Sequence, residues 1–573
     1  MKKFLLGTAV GCLLGAAAVV VVAFAMLRLA RRPPDVPGDA TLVLRLEGSV
    51  PEVVPLDLPL AAVGRRGPIG LGEYWDILRK AAVDRRIRAV VVMPENLETG
   101  WAKLEQLRES LERFRRSGKP LYAWLRRPGT REYFLAVTAE RVYMGPEDYL
   151  DFKGLRLELI YLRDTLQKLG IEVEVATSGK YKDAPDMFTR RGMSPQTREV
   201  LNSILDETFE RLLQAVAGGR RQPPERIRSL IDEGPFTSTQ ALAKGLVDGL
   251  LHQDQVFEEI QSRLRLPRLR KVGAAEYRRV SATSLGLEGR ARIAVIAAAG
   301  MIVRGSVPRA VLGDGLIGSE DFAALLAEVA GDERIRGVIV RIDSPGGDAT
   351  ASEEIWRQMS LLSKKKPLVI SLSDSAASGG YYIALTGDPI LAYPGTVTGS
   401  IGVFYGKANL RGLYEKLGIR KEILQRGRFA ALDSDYFPLG AEGRAKLSKA
   451  VEDSYRVFLS RVAESRRRSL REIEALAEGR IWLGSQAARL GLVDEIGGLD
   501  RAVELIKKRA QIPEGEPVRL VSYPARRSWI EWLWESGGQA SESWLAPIFR
   551  HPAARVWQQG GVWRLQPYEV VVK

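Results

Sequence analysis

The chain has 573 residues, enough for three or four domains of about 150 residues each. Hydrophobic residues make up 45% of the chain and charged residues 27%, so neither a disordered protein nor a polytopic membrane protein fits this composition. The formal net charge is +15, but basic and acidic residues are interspersed along the chain, which favours contact with an anionic membrane surface over binding of a nucleic acid.

Histidine and cysteine are the scarcest residue types, since the chain has only His252, His551 and Cys12. They cannot form a zinc site of the Cys/His type, and a disulfide within the chain is impossible. The scarcity of histidine also argues against histidine-based hydrolysis. A nucleophilic serine in this chain would therefore need another base, and we expect neither a metal nor an organic cofactor.

The first 32 residues predict a membrane anchor. Residues 4–27 carry no charge, and they are bracketed by two lysines before and three arginines after. Because about 20 apolar residues suffice to span a bilayer, we expect a single transmembrane helix over this segment. A cleaved signal peptide is the alternative, which the length of the apolar segment disfavours. The flanking charges are balanced and do not decide the orientation of the helix.

The body of the chain contains an internal duplication. The segment 84–90 (Asp-Arg-Arg-Ile-Arg-Ala-Val) returns at 332–338 as Asp-Glu-Arg-Ile-Arg-Gly-Val, which is a spacing of 248 residues. Lys168-Leu169-Gly170-Ile171 returns at the same spacing as Lys416-Leu417-Gly418-Ile419. A register kept over this length indicates two copies of one structural unit. We place the first unit at residues 40–285 and the second at 286–510.

The second unit alternates between strand and helix patterns. Residues 293–297, 338–342 and 368–372 are short apolar segments rich in β-branched residues. Residues 351–362 lie between the last two of these segments and carry apolar side chains at helical spacing. This alternation predicts an α/β fold, with parallel sheets and helical crossovers, in each of the two units.

Two loops of the second unit have the composition of catalytic loops. Residues 343–348 follow a buried strand and contain Gly346 and Gly347, which would let backbone N–H groups approach a substrate carbonyl closely. Residues 374–382 follow the next strand and contain Ser378, with alanines before it and Gly379 and Gly380 after it. For these loops the alternatives are a plain strand-to-helix turn and a serine that only caps a helix.

In combination these segments resemble the signal peptide peptidase A family, in its long two-repeat bacterial form. The resemblance rests on residues 343–347, 376–381 and 396–403, together with 179–184 of the first unit, and it covers roughly residues 1–510. It implies two tandem ClpP/crotonase-like repeats and a membrane-anchored serine endopeptidase with a Ser/Lys dyad. It further implies a homotetramer in the bacterial inner membrane, with its catalytic body on the extracytoplasmic side, acting on cleaved signal peptides and other membrane-associated peptides.

The resemblance also assigns roles to individual residues. Ser378 would be the nucleophile, Lys182 the general base, and the amides of Gly379, Gly346 and Gly347 the oxyanion-hole donors. A neutral lysine requires a water-poor cleft, because the usual pKa of a lysine is about 10.4. We hypothesise in addition that Ser400 accepts a hydrogen bond from the lysine and orients it, the alternative being a serine that only shapes its turn.

The internal alignment supports one active site shared between the two units. At the spacing of 248, Lys182 corresponds to Ala430, whereas Gly346 and Gly347 correspond to Glu98 and Thr99. Each unit therefore lacks what the other keeps. We predict that Lys182 reaches across the junction to within about 2.6 to 3.2 Å of the Ser378 hydroxyl. Lys180, whose counterpart is also basic, should have no catalytic role.

Two other functions remain open at this point. One is a crotonase-like acyl-CoA enzyme, which needs an oxyanion hole but no serine nucleophile, and the other is a catalytically inactive membrane scaffold. The pair Ser378 and Lys182 favours the peptidase over both.

Residues 511–573 form a tail rich in tryptophan. Six of the 11 tryptophans fall in the last 45 residues, and residues 529–534 have the bulk of an interfacial helix. Packing of these rings on the second unit, or on a neighbouring subunit, is the alternative.

Overall fold

The fold is described here from a computed structural model, which defines residues 36–54, 56–57, 67–307, 315–525, 527–528 and 562–565. The predicted membrane helix within residues 1–32 lies outside these ranges, as does the tryptophan-rich segment 529–534. Among the helices that the structure describes, none is both long and apolar enough to cross a membrane.

The first half of the chain alternates between strands and helices. Its strands are β1 (Ala40–Gly48), β2 (Leu56–Asp57), β3 (Ile87–Leu97), β4 (Leu121–Leu125), β5 (Arg141–Met144), β6 (Tyr149–Leu150), β7 (Glu172–Ser178), β8 (Phe236–Thr237), β9 (Gly249–Leu250) and β10 (Arg270–Gly273). Its helices are α1 (Leu71–Val83), α2 (Trp101–Arg116), α3 (Thr130–Ala136), α4 (Arg163–Leu169), α5 (Asp186–Thr189), α6 (Pro195–Arg220), α7 (Pro224–Glu233), α8 (Ser238–Ala243), α9 (Gln253–Arg263) and α10 (Ala274–Tyr277).

Six of these strands form a parallel sheet in the order β10-β1-β3-β4-β5-β9. The central strand β3 contains Val90, Val91 and Val92, which are fully buried. A strand covered by helices on both faces has apolar residues in sequence rather than in alternation, and this is why β3 has a continuous apolar segment. A 3₁₀ turn at Thr283–Leu285 precedes the second half.

The second half repeats this alternation. Its strands are β11 (Arg292–Ala299), β12 (Met301–Val303), β13 (Leu316–Gly318), β14 (Ile335–Ser344), β15 (Gly346–Asp348), β16 (Leu368–Ala377), β17 (Ile390–Ala392), β18 (Val397–Gly399), β19 (Val403–Asn409), β20 (Ile481–Leu483), β21 (Glu495–Ile496), β22 (Arg519–Tyr523), β23 (Arg527–Ser528) and β24 (Val562–Leu565). Its helices are α11 (Ser319–Gly331), α12 (Ala349–Lys365), α13 (Gly379–Ile383), α14 (Arg411–Lys416), α15 (Ala441–Arg466), α16 (Leu470–Glu474), α17 (Gly484–Arg489) and α18 (Leu499–Arg509).

An eight-stranded sheet forms the core of the second half, with the order β20-β18-β16-β14-β11-β22. In addition, β17 pairs with β16, and β21 pairs with β17. All its pairings are parallel except β18 with β20. The three predicted strands and the helix between the last two are confirmed, with somewhat wider bounds. The sheet continues beyond residue 510, because β22 pairs with β11 as an edge strand.

A third sheet joins the two halves, in the order β13-β12-β15-β24-β19-β7. Strand β7 leaves the first half and pairs antiparallel with β19 over its whole length, from Glu172 opposite Asn409 to Ser178 opposite Val403. The residues that follow β7 are thereby carried into the second half. This pairing is what brings the segment containing Lys182 next to the loops of the second unit.

Candidate active site

Ser378 occupies a strained turn between β16 and α13. Its backbone has φ 56° and ψ −114°, a positive-φ conformation that costs a non-glycine residue about 1–3 kcal/mol. The Ser378 N–H donates to the Gly399 carbonyl at 2.8 Å, and the Ser378 carbonyl accepts from the Tyr382 N–H at 2.8 Å. These bonds hold the conformation. The turn belongs to the same class of strained strand-to-helix junction that presents nucleophilic serines in other hydrolases.

Lys182 reaches Ser378 from the other half of the chain. Its Nζ lies 2.9 Å from Ser378 Oγ, 2.9 Å from Ser400 Oγ and 3.3 Å from the Ser400 carbonyl oxygen. All three residues are almost completely buried, with exposed fractions of 5% for Lys182, 0% for Ser378 and 3% for Ser400. The predicted distance between the lysine and the serine is confirmed, and Ser400 contacts the lysine as hypothesised.

Two glycines of the second half make room for the lysine. A Cβ at Gly479, where φ is +82°, would lie 2.6 Å from the Cα of Lys182. A Cβ at Gly402 would lie 3.1 Å from the Cδ of the same lysine. The N–H of Tyr181, the residue before Lys182, donates to the Glu478 carbonyl at 2.8 Å. The lysine is therefore fixed by backbone contacts with the second half as well as by its side chain.

The glycine turn of the first candidate loop lies beside the turn that contains Ser378. Ser344 at the end of β14 is paired with Ala376 of β16. A Cβ at Gly380 would lie 2.4 Å from the Ser344 carbonyl oxygen, so only glycine permits this approach. Gly346 has φ +102°, and its N–H donates to Ser344 Oγ at 3.2 Å. Gly347 packs closely against β12, because a Cβ added at this position would lie 1.9 Å from the Ile302 carbonyl oxygen.

The tail strand β24 lies between β15 and β19, which flank the active site. It pairs antiparallel with both, with Leu565 opposite Gly346 and Trp563 opposite Asp348 and Phe404. Trp563 is fully buried. The other members of its hydrophobic cluster are Ala184, Met301, Val303, Val307, Leu316, Phe404 and Leu565. Sequence reasoning missed this strand, since a single four-residue segment has too short a pattern to recognise; for Trp563, the packing alternative is observed.

Lys180 has a different environment from Lys182. Its side chain is 56% exposed, and its Nζ pairs with Glu478 Oε2 at 2.6 Å. The hydrogen bond from this ammonium group to Glu478 raises the pKa of Lys180. The lysine is thus a surface residue in an ion pair. In the second half its counterpart Arg428 is likewise exposed and pairs with Glu442.

A group of charged side chains contacts the two candidate loops through Asp343 and Asp374. Burial raises the pKa of Glu52, but the cations Arg341 and Lys103 outweigh this effect and hold it at about 2. Burial raises the pKa of Asp374, Lys103 lowers it and Asp343 raises it, and the pKa of Asp374 comes to about 7. Within the described part of the chain, no three His, Cys, Asp or Glu side chains are grouped as metal ligands.

Comparison with known proteins identifies the family. The sequence profile of "Peptidase family S49" matches residues 113–266 and 360–513. The chain belongs to peptidase family S49. The two matches begin 247 residues apart, so the family pattern occurs once in each half of this S49 peptidase, in agreement with the predicted duplication.

Curated relatives of this S49 peptidase are proteases. "Serine protease SPPA, chloroplastic" of Arabidopsis thaliana is 35% identical over 458 residues, which cover 79% of this chain and 68% of the relative. "Protease 4" of Salmonella typhi is 28% identical over 459 residues, which cover 78% of this chain and 72% of the relative. The S49 peptidase is therefore a serine protease of the SppA type. Neither the acyl-CoA enzyme nor the inactive scaffold is supported by these relatives.

Two further similarities cover only part of the chain. "Putative signal peptide peptidase SppA" of Enterococcus faecium is 34% identical over 196 residues, which cover 34% of this S49 peptidase and 57% of the relative. Among solved structures, ClpP1 from Listeria monocytogenes is 14% identical and covers 36% of this chain and 91% of its own, with a TM-score of 0.23.

Proposed function

We propose that this S49 peptidase hydrolyses signal peptides that remain in the membrane after cleavage, together with other membrane-associated peptides. The reaction uses Ser378 as the nucleophile and Lys182 as the general base. The observation that carries the proposal is the 2.9 Å contact between Lys182 Nζ and Ser378 Oγ across the two halves. The name of the Enterococcus faecium relative, a putative signal peptide peptidase, supports the substrate class.

The surroundings of Lys182 suit a neutral amine that acts as a base. A neutral amine carries two N–H donors and one lone pair. In this form the hydroxyl and the carbonyl of Ser400 would accept the two N–H groups, and the lone pair would accept the proton of the Ser378 hydroxyl. Ser400 is thereby a positioning residue.

The catalytic cycle follows from this arrangement. Lys182 takes the proton of the Ser378 hydroxyl as Oγ attacks the scissile carbonyl carbon. The N–H of Gly379 and an N–H of the turn at Gly346 and Gly347 stabilise the oxyanion. The lysine then gives its proton to the leaving amine, and an ester on Ser378 remains. Water, deprotonated by Lys182, hydrolyses the ester and the proton returns to Ser378.

A peptide substrate would bind as an extended strand between β15 and β19. Strand β24 supports this mode, because it lies there antiparallel to both neighbours. Main-chain hydrogen bonds from a sheet edge hold a peptide without regard to its side chains. The apolar surroundings of Trp563 suit large apolar side chains, which are abundant in signal peptides.

The setting of the enzyme follows from the family resemblance. Residues 1–32 anchor it in the bacterial inner membrane, with its body on the extracytoplasmic side. Four chains, each with two ClpP/crotonase-like repeats, assemble into a homotetramer. The 24-residue uncharged segment and the net charge of +15 support contact with lipid. A Ser49→Cys variant tests the orientation: in intact cells a membrane-impermeant thiol reagent should label it, and labelling only by a permeant reagent would contradict the proposal.

The dyad is tested with three alanine variants. Lys182→Ala and Ser378→Ala should each abolish hydrolysis of an internally quenched signal-sequence peptide, without loss of folded protein. Lys180→Ala, two residues from the base but on the surface, should retain most of the activity and serves as the matched control. A serine-directed phosphonate should form its adduct on Ser378. Activity in both dyad variants would mean that the dyad is wrong, and a dead Lys180→Ala beside an active Lys182→Ala would mean that the base is wrongly assigned.

A further inference from the structure

Lys103 of the first half lies in the charged group behind the catalytic loops. Its side chain is 11% exposed, and its Nζ lies 2.7 Å from Asp343 Oδ2 and 3.7 Å from Asp374 Oδ2. It borders a cavity of about 640 Å³ between the halves, which is also lined by Pro345 and Ser375. The catalytic cycle proposed above does not use this lysine.

Both of its carboxylate partners belong to the catalytic loops. Asp343 is the first residue of the loop that contains Gly346 and Gly347, and Asp374 lies four residues before Ser378. Asp343 Oδ1 accepts from the Ser375 N–H at 3.0 Å, so the two loops are also tied to each other. A cation placed between these two carboxylates therefore contacts the start of both loops.

The backbone around Lys103 reinforces the contact. The N–H groups of Gly100 and Lys103 donate to the Asp374 carboxylate at 3.1 and 2.9 Å. Asp374 of the second half therefore caps the N-terminus of α2 in the first half, where a carboxylate is favoured by the helix dipole. A Cβ at Gly100 would lie 2.4 Å from Asp374 Cγ, so only glycine permits this approach.

The lysine is specific to the first unit. At the repeat spacing of 248 its counterpart is Ala351, a buried residue of α12. The bridge is thus a feature of the junction and not of the repeat itself, as is the contact between Lys182 and Ser378.

We propose that Lys103 is a positioning residue for the protease reaction, which aligns the oxyanion turn with Ser378 by bridging Asp343 and Asp374 across the two halves. The proposal rests on the proposed dyad. The alignment acts on the transition state, because the oxyanion forms only as Ser378 attacks. Loss of the bridge should therefore lower kcat and leave the binding of the peptide, and with it KM, almost unchanged.

Lys103→Met tests the proposal in the full-length chain. Misplacement of reacting groups by about 1 Å costs up to about 100-fold in rate, and we expect kcat to fall by about 10- to 100-fold with KM within about twofold. The rate at which the phosphonate labels Ser378 should fall in parallel. Lys103→Arg, which keeps a cation between the two carboxylates, should recover most of kcat.

Lys80→Met is the matched control. Lys80 is 1% exposed, and its Nζ pairs with Asp76 at 2.9 Å and donates to the carbonyls of Arg278 and Val280, all in the first half. Its replacement should lower the thermal stability at least as much as Lys103→Met does, with kcat per folded molecule unchanged. If both variants lost activity only in proportion to folded protein, Lys103 would be a structural residue and the proposal would be wrong.

Asp343→Asn keeps the test decisive if Lys103→Met does not fold. The asparagine retains an oxygen for the Ser375 N–H but loses the ion pair with Lys103, so kcat should fall in the same way. An unchanged kcat in Asp343→Asn would overturn the proposal. Failure of the dyad itself is distinguishable, since the phosphonate would then not label Ser378 in the unsubstituted enzyme.

Discussion

At the scale of single residues, the two halves have lost complementary groups. Lys182 corresponds to Ala430 of the second half, whereas Gly346 corresponds to Glu98 of the first. The structure gives this pattern a physical meaning, because Nζ of Lys182 lies 2.9 Å from Ser378 Oγ. In the proposed dyad, a single base and a single nucleophile serve one site that both halves form. The other copy of each group was then free to change.

Asp374 makes stability depend on pH. In the folded protein the pKa of this carboxyl group is about 7, above the usual value of about 3.9. Burial, Asp343 and Glu52 raise the pKa, whereas Lys103 lowers it. Between these values the folded protein holds more protons than the unfolded chain, so this contribution to stability is present at low pH and is lost as the pH rises towards 7. The slope is at most about 1.4 kcal/mol per pH unit.

Urea unfolding between pH 5 and 8 checks this prediction. This pH range lies above the titration of Glu52. The pKa of Glu52 is lowered to about 2, so its contribution to the free energy of unfolding is lost only as the pH falls below about 4. Relative to the unsubstituted protein, Asp374→Asn should have a free energy of unfolding that falls less steeply as the pH rises through this range. Parallel curves for the two proteins would contradict the assignment.

At the scale of elements, two strands pair with strands that are distant from them in the sequence. β7 takes an edge of the third sheet and delivers Lys182, and β24 fills the space between β15 and β19. Both use main-chain pairing, which any extended segment of suitable length can make. The tail strand consequently lies where the proposed substrate strand would bind.

Removal of the tail strand should raise activity on short peptides. A chain that ends after residue 528 keeps β22 and β23 but lacks β24, and its kcat/KM should rise severalfold because the substrate no longer competes with residues 562–565. A synthetic peptide of residues 561–566 should inhibit the shortened enzyme, and a scrambled peptide should not. If shortening left kcat/KM unchanged and the peptide did not inhibit, β24 would not occupy the substrate position.

At the scale of the whole molecule, exposed apolar side chains are concentrated after α14. Leu424 is 95% exposed and Leu417 63%, and Ile419 and Ile423 are also exposed. Large apolar side chains grouped on a surface are typical of a protein interface. In the proposed homotetramer, a second copy of the chain would cover this segment.

Leu424→Asp tests the role of this segment in assembly. Light scattering after gel filtration in detergent should give a tetramer for the unsubstituted protein and a smaller species for the variant, since a buried charge without a partner opposes association. Val83→Asp, an equivalent change at an exposed residue at the end of α1, should leave the tetramer intact. A monomer for the unsubstituted protein, or an intact tetramer for Leu424→Asp, would contradict the prediction.

The sequence alone determined the duplication, the alternation of strands and helices and the resemblance that named Ser378 and Lys182. These features are readable because they are local or periodic: a continuous apolar strand such as residues 338–342, or a motif kept at a fixed spacing, carries its own signal. Only the tertiary structure decided the antiparallel pairing of β7 with β19, the insertion of β24 beside Gly346 and the bridge from Lys103 to Asp343 and Asp374. Each of these contacts joins segments at least 200 residues apart in the sequence. Such contacts depend on which sheet edges and buried charges are still unpaired once both halves have folded. A local sequence pattern carries no information about this.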